Sequence, residues 1–179
     1  MEKAIAKLRE ADAISLDAIA EMNIRKLEGL IRSAGYYRQK ARRLKGIAVQ
    51  IRKEFGTIER LMGLAGPRLR KVLLSYNGIG DETADSIMLY AAGRRTFVID
   101  AYTKRIMGRV DKRLAGADYL FLQRYFTNNT KASVLLYKDY HAQLVELAKR
   151  NCRVTPICKG CPLLTMCDYG NEARIHPYE

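Results

Sequence analysis

The chain has 179 residues, 48% of them hydrophobic, and carries 32 Lys and Arg against 19 Asp and Glu, a formal charge of +13. That is enough apolar material for one domain or two small ones. No run of about eighteen uncharged apolar residues occurs and the opening MEKAIAKLRE is charged, so the expectation is a cytoplasmic protein with no membrane partner. A pI near 9.7 favours a polyanionic partner, although a basic surface alone also fits a soluble protein with no nucleic-acid role.

In chain order the pattern is helical almost throughout. MEKAIAKLREA spaces Ala4, Ile5, Leu8 and Ala11 along one face, and Ser15 caps a second segment, SLDAIAEM. IRKLEGLIRSAG runs to Gly35, and YYRQKARRLKGIAVQIRKEFG runs to Gly56 with Arg38, Lys40, Arg42, Arg43, Lys45, Arg52 and Lys53 along it. TIERLMGLAG follows with Thr57 as cap, then PRLRKVLLSY with Pro67 in its first turn. After NGIGD, the segment ETADSIMLYAAG aligns Ala84, Ile87, Met88 and Ala91 in one apolar stripe. TFVID is the one strand-like stretch. It leads into AYTKRIMGRV, YLFLQRYFTNN and SVLLYKDYHAQLVELAKRN, the last placing Tyr137, Tyr140, His141, Leu144, Val145 and Ala148 on a shared face. No solenoid repeat or low-complexity linker interrupts this series.

Three constellations could carry chemistry. In YNGIGDETAD, Gly78 and Gly80 permit a sharp turn whose amides, with the start of the next helix, suit a phosphate; a plain helix-to-helix turn fits equally well. In FVIDAYTKRI, Asp100 stands at a helix start, where it caps the helix or serves as a carboxylate for a developing sugar cation, and one residue can do both. Lys104, one turn on, can pair with Asp100 or touch a phosphate. The third is RNCRVTPICKGCPLLTMC, which gathers all four cysteines, Cys152, Cys158, Cys161 and Cys167, in the spacing C-x5-C-x2-C-x5-C. One short loop of thiolates suits a 4Fe-4S cluster. Structural zinc more often uses two paired sets, and metal-free thiols are the remaining alternative.

In this order, NGIGDETAD, VIDAYTKRI and YHAQLVELAKRNC running into the four cysteines, the chain resembles the endonuclease III branch of the helix-hairpin-helix DNA glycosylases. GYYRQKA at residues 35–41 is similar to a segment near that family's DNA face. The resemblance implies an all-α fold, with a helical domain over 1–108 containing the hairpin at about 66–92 and a helical iron-sulfur domain over 109–179. It implies a base-excision repair enzyme that flips a damaged base from double-stranded DNA and cleaves its glycosidic bond, acting as a monomer in the cytoplasm, at the nucleoid. By the same resemblance Asp100 is the catalytic carboxylate and Tyr37, Lys40, Asn77, Gly78, Ile79, Gly80, Thr83, Lys104 and Arg105 contact DNA. Tyr102, Tyr137 and His141 are candidates for an aromatic base pocket, although core aromatics and a core histidine are the commoner role for such residues, and the four cysteines hold a 4Fe-4S cluster.

The family's nicking members carry a Schiff-base Lys two residues after the second hairpin glycine, and here that position is Glu82. A carboxylate cannot form an imine, so a monofunctional enzyme is expected. The wording DETAD and VIDAYTKR is closest to the subgroup that removes alkylated purines such as 3-methyladenine. Two alternatives stay open: an endonuclease III-type pyrimidine-damage glycosylase with AP lyase activity, and a noncatalytic DNA-binding fragment. The fragment reading follows from the first family helix, which has no counterpart before Met1. Asn77 in place of a usual Pro, and a first cysteine interval of five rather than six, are smaller departures.

Overall fold

The computed structural model describes residues 2–175. It is built from α1 (Glu2–Glu10), α2 (Leu16–Glu21), α3 (Ile24–Leu30), α4 (Tyr37–Phe55), α5 (Ile58–Met62), α6 (Gly66–Ser75), α7 (Asp81–Ser86), α8 (Ala101–Val110), α9 (Tyr119–Asn129), α10 (Val134–Arg150) and α11 (Asp168–Ile175). Short 3-10 turns lie at 32–34, 112–114 and 164–166, and α7 continues directly into a π-helical turn, Ile87–Ala91. The fold is all-α, as expected. Contacts divide it into two compact units, residues 1–80 and 81–179.

The first unit is organised on α4, which packs against α2, α3 and α5. Its nineteen residues keep Ala41, Ala48 and Ile51 on one buried stripe and stop at Gly56, whose φ of +77° a side-chain-bearing residue rarely adopts. Leu8, Leu27, Ile31 and Ala41 form its core. Three of the basic residues counted along α4 are spent locally: Arg52 donates to Glu21 at 2.8 Å, Lys45 to the Met22 carbonyl and Lys40 to the Ala34 carbonyl. The stretch ending at Gly35 is not one helix. It closes as α3 at Leu30 and then tightens into the 3-10 turn, a common way to use the last carbonyls of a helix.

The second unit centres on Phe97, which is wholly buried and stacks on Phe126 with ring centroids 4.1 Å apart. Tyr137 and Tyr140 meet the Phe97 ring edge-on, both at 5.4 Å. The strand expected at TFVID does not form, and no strand occurs among the described residues. A single extended segment has no edge to pair with, so its stabilisation comes from side chains: Phe97, Val98 and Ile99 are each no more than 1% exposed. The expected stripe on α7 is also shifted. Ala84, Met88 and Leu89 are buried while Ala91 is exposed, because the π turn, closed by the Ala92 amide on the Ile87 carbonyl at 2.9 Å, rotates the face that follows it.

The units part at Gly80, earlier than the boundary expected at residue 108. The reason is visible at Asp85 of α7, which has no exposed surface and accepts from Tyr119 Oη and Gln123 Nε2 of α9, both at 2.9 Å. Gln123 also donates to the Phe97 carbonyl at 2.9 Å, and the Ile99 amide reaches Tyr119 Oη at 3.5 Å. Helix α7 is thereby tied to the segment that delivers residue 100.

Candidate active site

Asp100 follows the buried Phe97–Ile99 segment and serves as N-cap of α8, with its backbone extended (φ −90°, ψ 177°). Its Oδ1 accepts from the Thr103 amide at 2.7 Å, which commits that oxygen to the helix end. Oδ2 is free of that bond. It faces Nε2 of His141, on α10, at 3.6 Å, and both side chains are nearly buried, 13% and 12% exposed. Nδ1 of His141 is in turn 2.8 Å from the hydroxyl of Tyr90, on the π turn.

Burial pushes the Asp100 carboxyl up, but His141 and the amide and hydroxyl of Thr103 pull it down by more, and the outcome lies below the usual carboxylate range. Asp100 is therefore an anion at neutral pH. Tyr90 is pushed the other way, above the usual phenol range, by burial and by the negative charge of Asp100. Its hydroxyl keeps its proton. The arrangement is a fixed, half-enclosed carboxylate with one committed and one available oxygen, placed at the positive end of a helix. Such a group stabilises a developing positive charge or orients a water.

The other expected site residues fall into separate groups. Asn77, Gly78, Ile79 and Gly80 form the turn after α6 in the first unit, closed by the Ile79 amide on the Tyr76 carbonyl at 3.1 Å. Gly78 has φ +94°, a conformation that favours glycine, and a Cβ there would stand 2.5 Å from the Cδ of the exposed Arg43 side chain, which would have to move aside. Tyr37 begins α4 beside the αL residue Tyr36, and Lys40 donates to the Ala34 carbonyl. Thr83 and Glu82 are exposed on α7, and the Glu82 carbonyl accepts from the Ser86 hydroxyl at 2.7 Å. Lys104 is exposed, with its ammonium 5.9 Å over the Tyr119 ring.

Of the three candidate base-pocket residues, His141 stands against Asp100. Tyr102 is 37% exposed with the Arg105 guanidinium 5.2 Å over its ring. Tyr137 is not at a surface that a base could reach: it is 1% exposed, its ring packs on Phe97 and its hydroxyl donates to the Thr130 carbonyl at 2.8 Å. The aromatic ring that makes it a candidate to stack on a base packs in the core instead.

The cysteines lie on one loop between α10 and α11. All four are free and half-buried, and the Cys158 thiol is pushed up by burial and by the negative potential of Cys161, Cys167 and Cys152 together. Arg109 of α8 straps this loop, with Nη1 3.4 Å from Cys152 Sγ and the guanidinium donating to the Arg153 and Val154 carbonyls at 2.6 and 2.8 Å. Arg105 donates to the Cys152 carbonyl at 2.9 Å, so its guanidinium serves the loop. Among the described residues no three His, Cys, Asp or Glu side chains close on a point fit for a single metal ion. Sequence reasoning missed Tyr90, Asp85 and Arg109. Each owes its role to a partner far along the chain, and none sits in a motif that would mark it.

A model of HhH-GPD superfamily base excision DNA repair proteins matches residues 1–118. A provisionally named DNA repair glycosylase of Methanocaldococcus jannaschii is 40% identical over 169 residues, which is 93% of this chain and 77% of that protein. Endonuclease III of Sulfolobus acidocaldarius is 30% identical over 93% of this chain and 73% of its own length. Among solved structures, the H. pylori 3-methyladenine DNA glycosylase bound to 1,N6-ethenoadenine superposes with a TM-score of 0.67 at 25% identity, over 83% of this chain and 76% of that one. A non-covalent complex of endonuclease III with DNA gives 0.79 at 22% identity, over 97% and 77%.

Proposed function

Because the chain belongs to the HhH-GPD superfamily of base excision DNA repair proteins and is a DNA N-glycosylase, we propose that Asp100 is its catalytic carboxylate and that it releases alkylated bases by hydrolysis alone. The observation that carries this reading is the Asp100 side chain, ionised, nearly buried and with Oδ2 uncommitted to the helix cap. As the glycosidic C1′–N bond breaks, its electron pair leaves with the base and positive charge develops on the sugar. Asp100 stabilises that charge, and the attacking water bonds to C1′ while its proton passes to the carboxylate. An N3-alkylated adenine is already cationic and departs neutral, so this chemistry needs the carboxylate more than a general acid. The likeness to the 3-methyladenine enzyme supports the substrate class.

Glu82 supports a monofunctional enzyme. The endonuclease III relatives motivate a competing reading, pyrimidine-damage removal with strand nicking, and one experiment separates the two. Purified protein is given duplexes carrying 3-methyladenine, 1,N6-ethenoadenine or oxidised pyrimidines, with and without borohydride. Release of an alkylated base with no covalent adduct is expected. A trapped adduct would overturn monofunctionality, and release of oxidised pyrimidines alone would overturn the substrate class.

The backbone of DNA would be held without sequence reading by the amides of the 76–80 turn, aided by exposed basic residues of α4 such as Arg38, Arg42 and Arg43. The cysteine loop fits a 4Fe-4S cluster: four free, half-buried thiols lie on one short loop, and four cysteine sulfurs are the donor set that such a cluster takes. Cys152, Cys158, Cys161 and Cys167 would each ligate one iron, and the cluster would supply a cross-link to the loop. Cys158→Ser is expected to remove the brown absorbance of the purified protein and to weaken duplex binding. A colourless native protein containing zinc would overturn the assignment.

A further inference from the structure

We propose that His141, held by Tyr90, is a positioning residue for Asp100: its Nε2–H faces Oδ2 and fixes where that oxygen points. The inference rests on the reading of Asp100 as the catalytic carboxylate.

The argument begins with protons. The Tyr90 hydroxyl lies 2.8 Å from His141 Nδ1 and a longer 3.4 Å from the Lys138 carbonyl, and its one proton is assigned to the nearer nitrogen. An accepting Nδ1 leaves the ring proton on Nε2. The opposite tautomer would aim a bare nitrogen lone pair at a carboxylate, which is repulsive in a nearly buried site. Tyr90 therefore selects the tautomer that is attractive to Asp100. The histidine cannot turn away easily: its ring lies 5.9 Å from Tyr90 and meets Phe97 edge-on at 6.4 Å. Tyr90 is itself held from α10, where Lys138 Nζ donates to its carbonyl at 3.3 Å and stands 5.8 Å over its ring.

His141 Nε2 is buried and makes no hydrogen bond among the described residues, its distance to Oδ2 being 3.6 Å. A buried donor left that way costs free energy unless something completes it. The gap between Nε2 and Oδ2 is a few tenths of an ångström too long for a bond. A small movement of Asp100 as the sugar becomes cationic closes it, or a water held by both groups fills it. Either way the histidine fixes the trajectory of the working oxygen and takes no part in bond making.

Three measurements test this. First, the chain has two histidines, His141 and His176, so ring nitrogen shifts are readily assigned. Nδ1 of His141 should be of the unprotonated type and Nε2 of the protonated type; the reverse overturns the proposal. Second, the titratable groups facing Asp100 are His141 from α10 and Tyr90 from the π turn. In His141→Leu the Asp100 carboxyl should titrate at higher pH, and an unchanged titration overturns the proposal. Third, base release from duplex DNA treated with a radiolabelled methylating agent should fall about 10²-fold in kcat for His141→Leu, the scale of a misplaced group, with KM and binding to an abasic-analogue duplex unchanged. His141→Gln, which can present an N–H in the same place, should recover part of the loss. Tyr90→Phe should lose up to about tenfold. Equal loss of melting temperature and DNA binding in all three variants would reveal a merely structural role. If Asp100→Asn releases bases normally, the functional reading itself fails, whereas an inactive Asp100→Asn beside a fully active His141→Leu defeats this proposal alone.

Discussion

Replacing Asp100 with Asn is expected to lower base release by roughly two to three orders of magnitude while leaving the fold intact. The separation is possible because the two oxygens of the side chain do different work. Oδ1 caps α8 through the Thr103 amide, and Asn caps a helix about as well as Asp, so the melting temperature should barely move. Oδ2 carries the charge that the developing sugar cation needs, and the amide cannot supply it. Near-normal release from Asp100→Asn, measured in single-turnover kinetics with folding checked by circular dichroism, would refute the assignment. The same carboxylate sets an acid limit. Because its folded pKa lies below the ordinary range, its contribution to stability and activity is complete above that range and is lost only as pH falls through the depressed value.

Asp85→Ala should give the largest loss of stability, about 3 kcal/mol, seen as a fall of roughly 10 °C in melting temperature. Asp85 has no exposed surface, and its removal takes from the half-buried Tyr119 hydroxyl and Gln123 amide the charged acceptor that each uses at 2.9 Å. Those two groups also hold the backbone at Phe97 and Ile99, next to Asp100. Base release should therefore fall even at temperatures where the variant remains folded. A melting temperature within a degree or two of the parent would mean that water satisfies these groups and that Asp85 is dispensable.

The parts of this fold governed by near neighbours were readable in the sequence. Ser15, Thr57 and Asp100 each cap the helix that follows, bonding amides three residues on at 3.1, 3.3 and 2.7 Å, and a cap is a local event. The cysteine loop and the glycine turn were legible for the same reason. Tyr90 was not: its bond to His141 spans 51 positions, and nothing in SIMLYAAG marks that tyrosine as the partner of a distant histidine. Nothing in DETAD separates Asp85, which bonds Tyr119 and Gln123 of α9, from the Asp81 and Glu82 that precede it. TFVID was misread because an apolar, β-branched stretch describes burial as well as pairing, and here burial together with the side chains of Gln123 and Tyr119, and no neighbouring strand, holds it extended.

The π turn at Ile87–Ala91 bears on any attempt to stabilise the protein by design. It holds one residue more than a straight helix would accommodate, and that surplus lets Met88 and Leu89 face the core while Tyr90 reaches His141. Regularising the segment by a one-residue deletion would rotate everything after it by about a quarter turn, on the α-helical repeat of 3.6 residues. The irregular backbone is then a phase adjuster between the helix and the carboxylate, and engineering for ideal geometry there would trade the register of the site for a better helix.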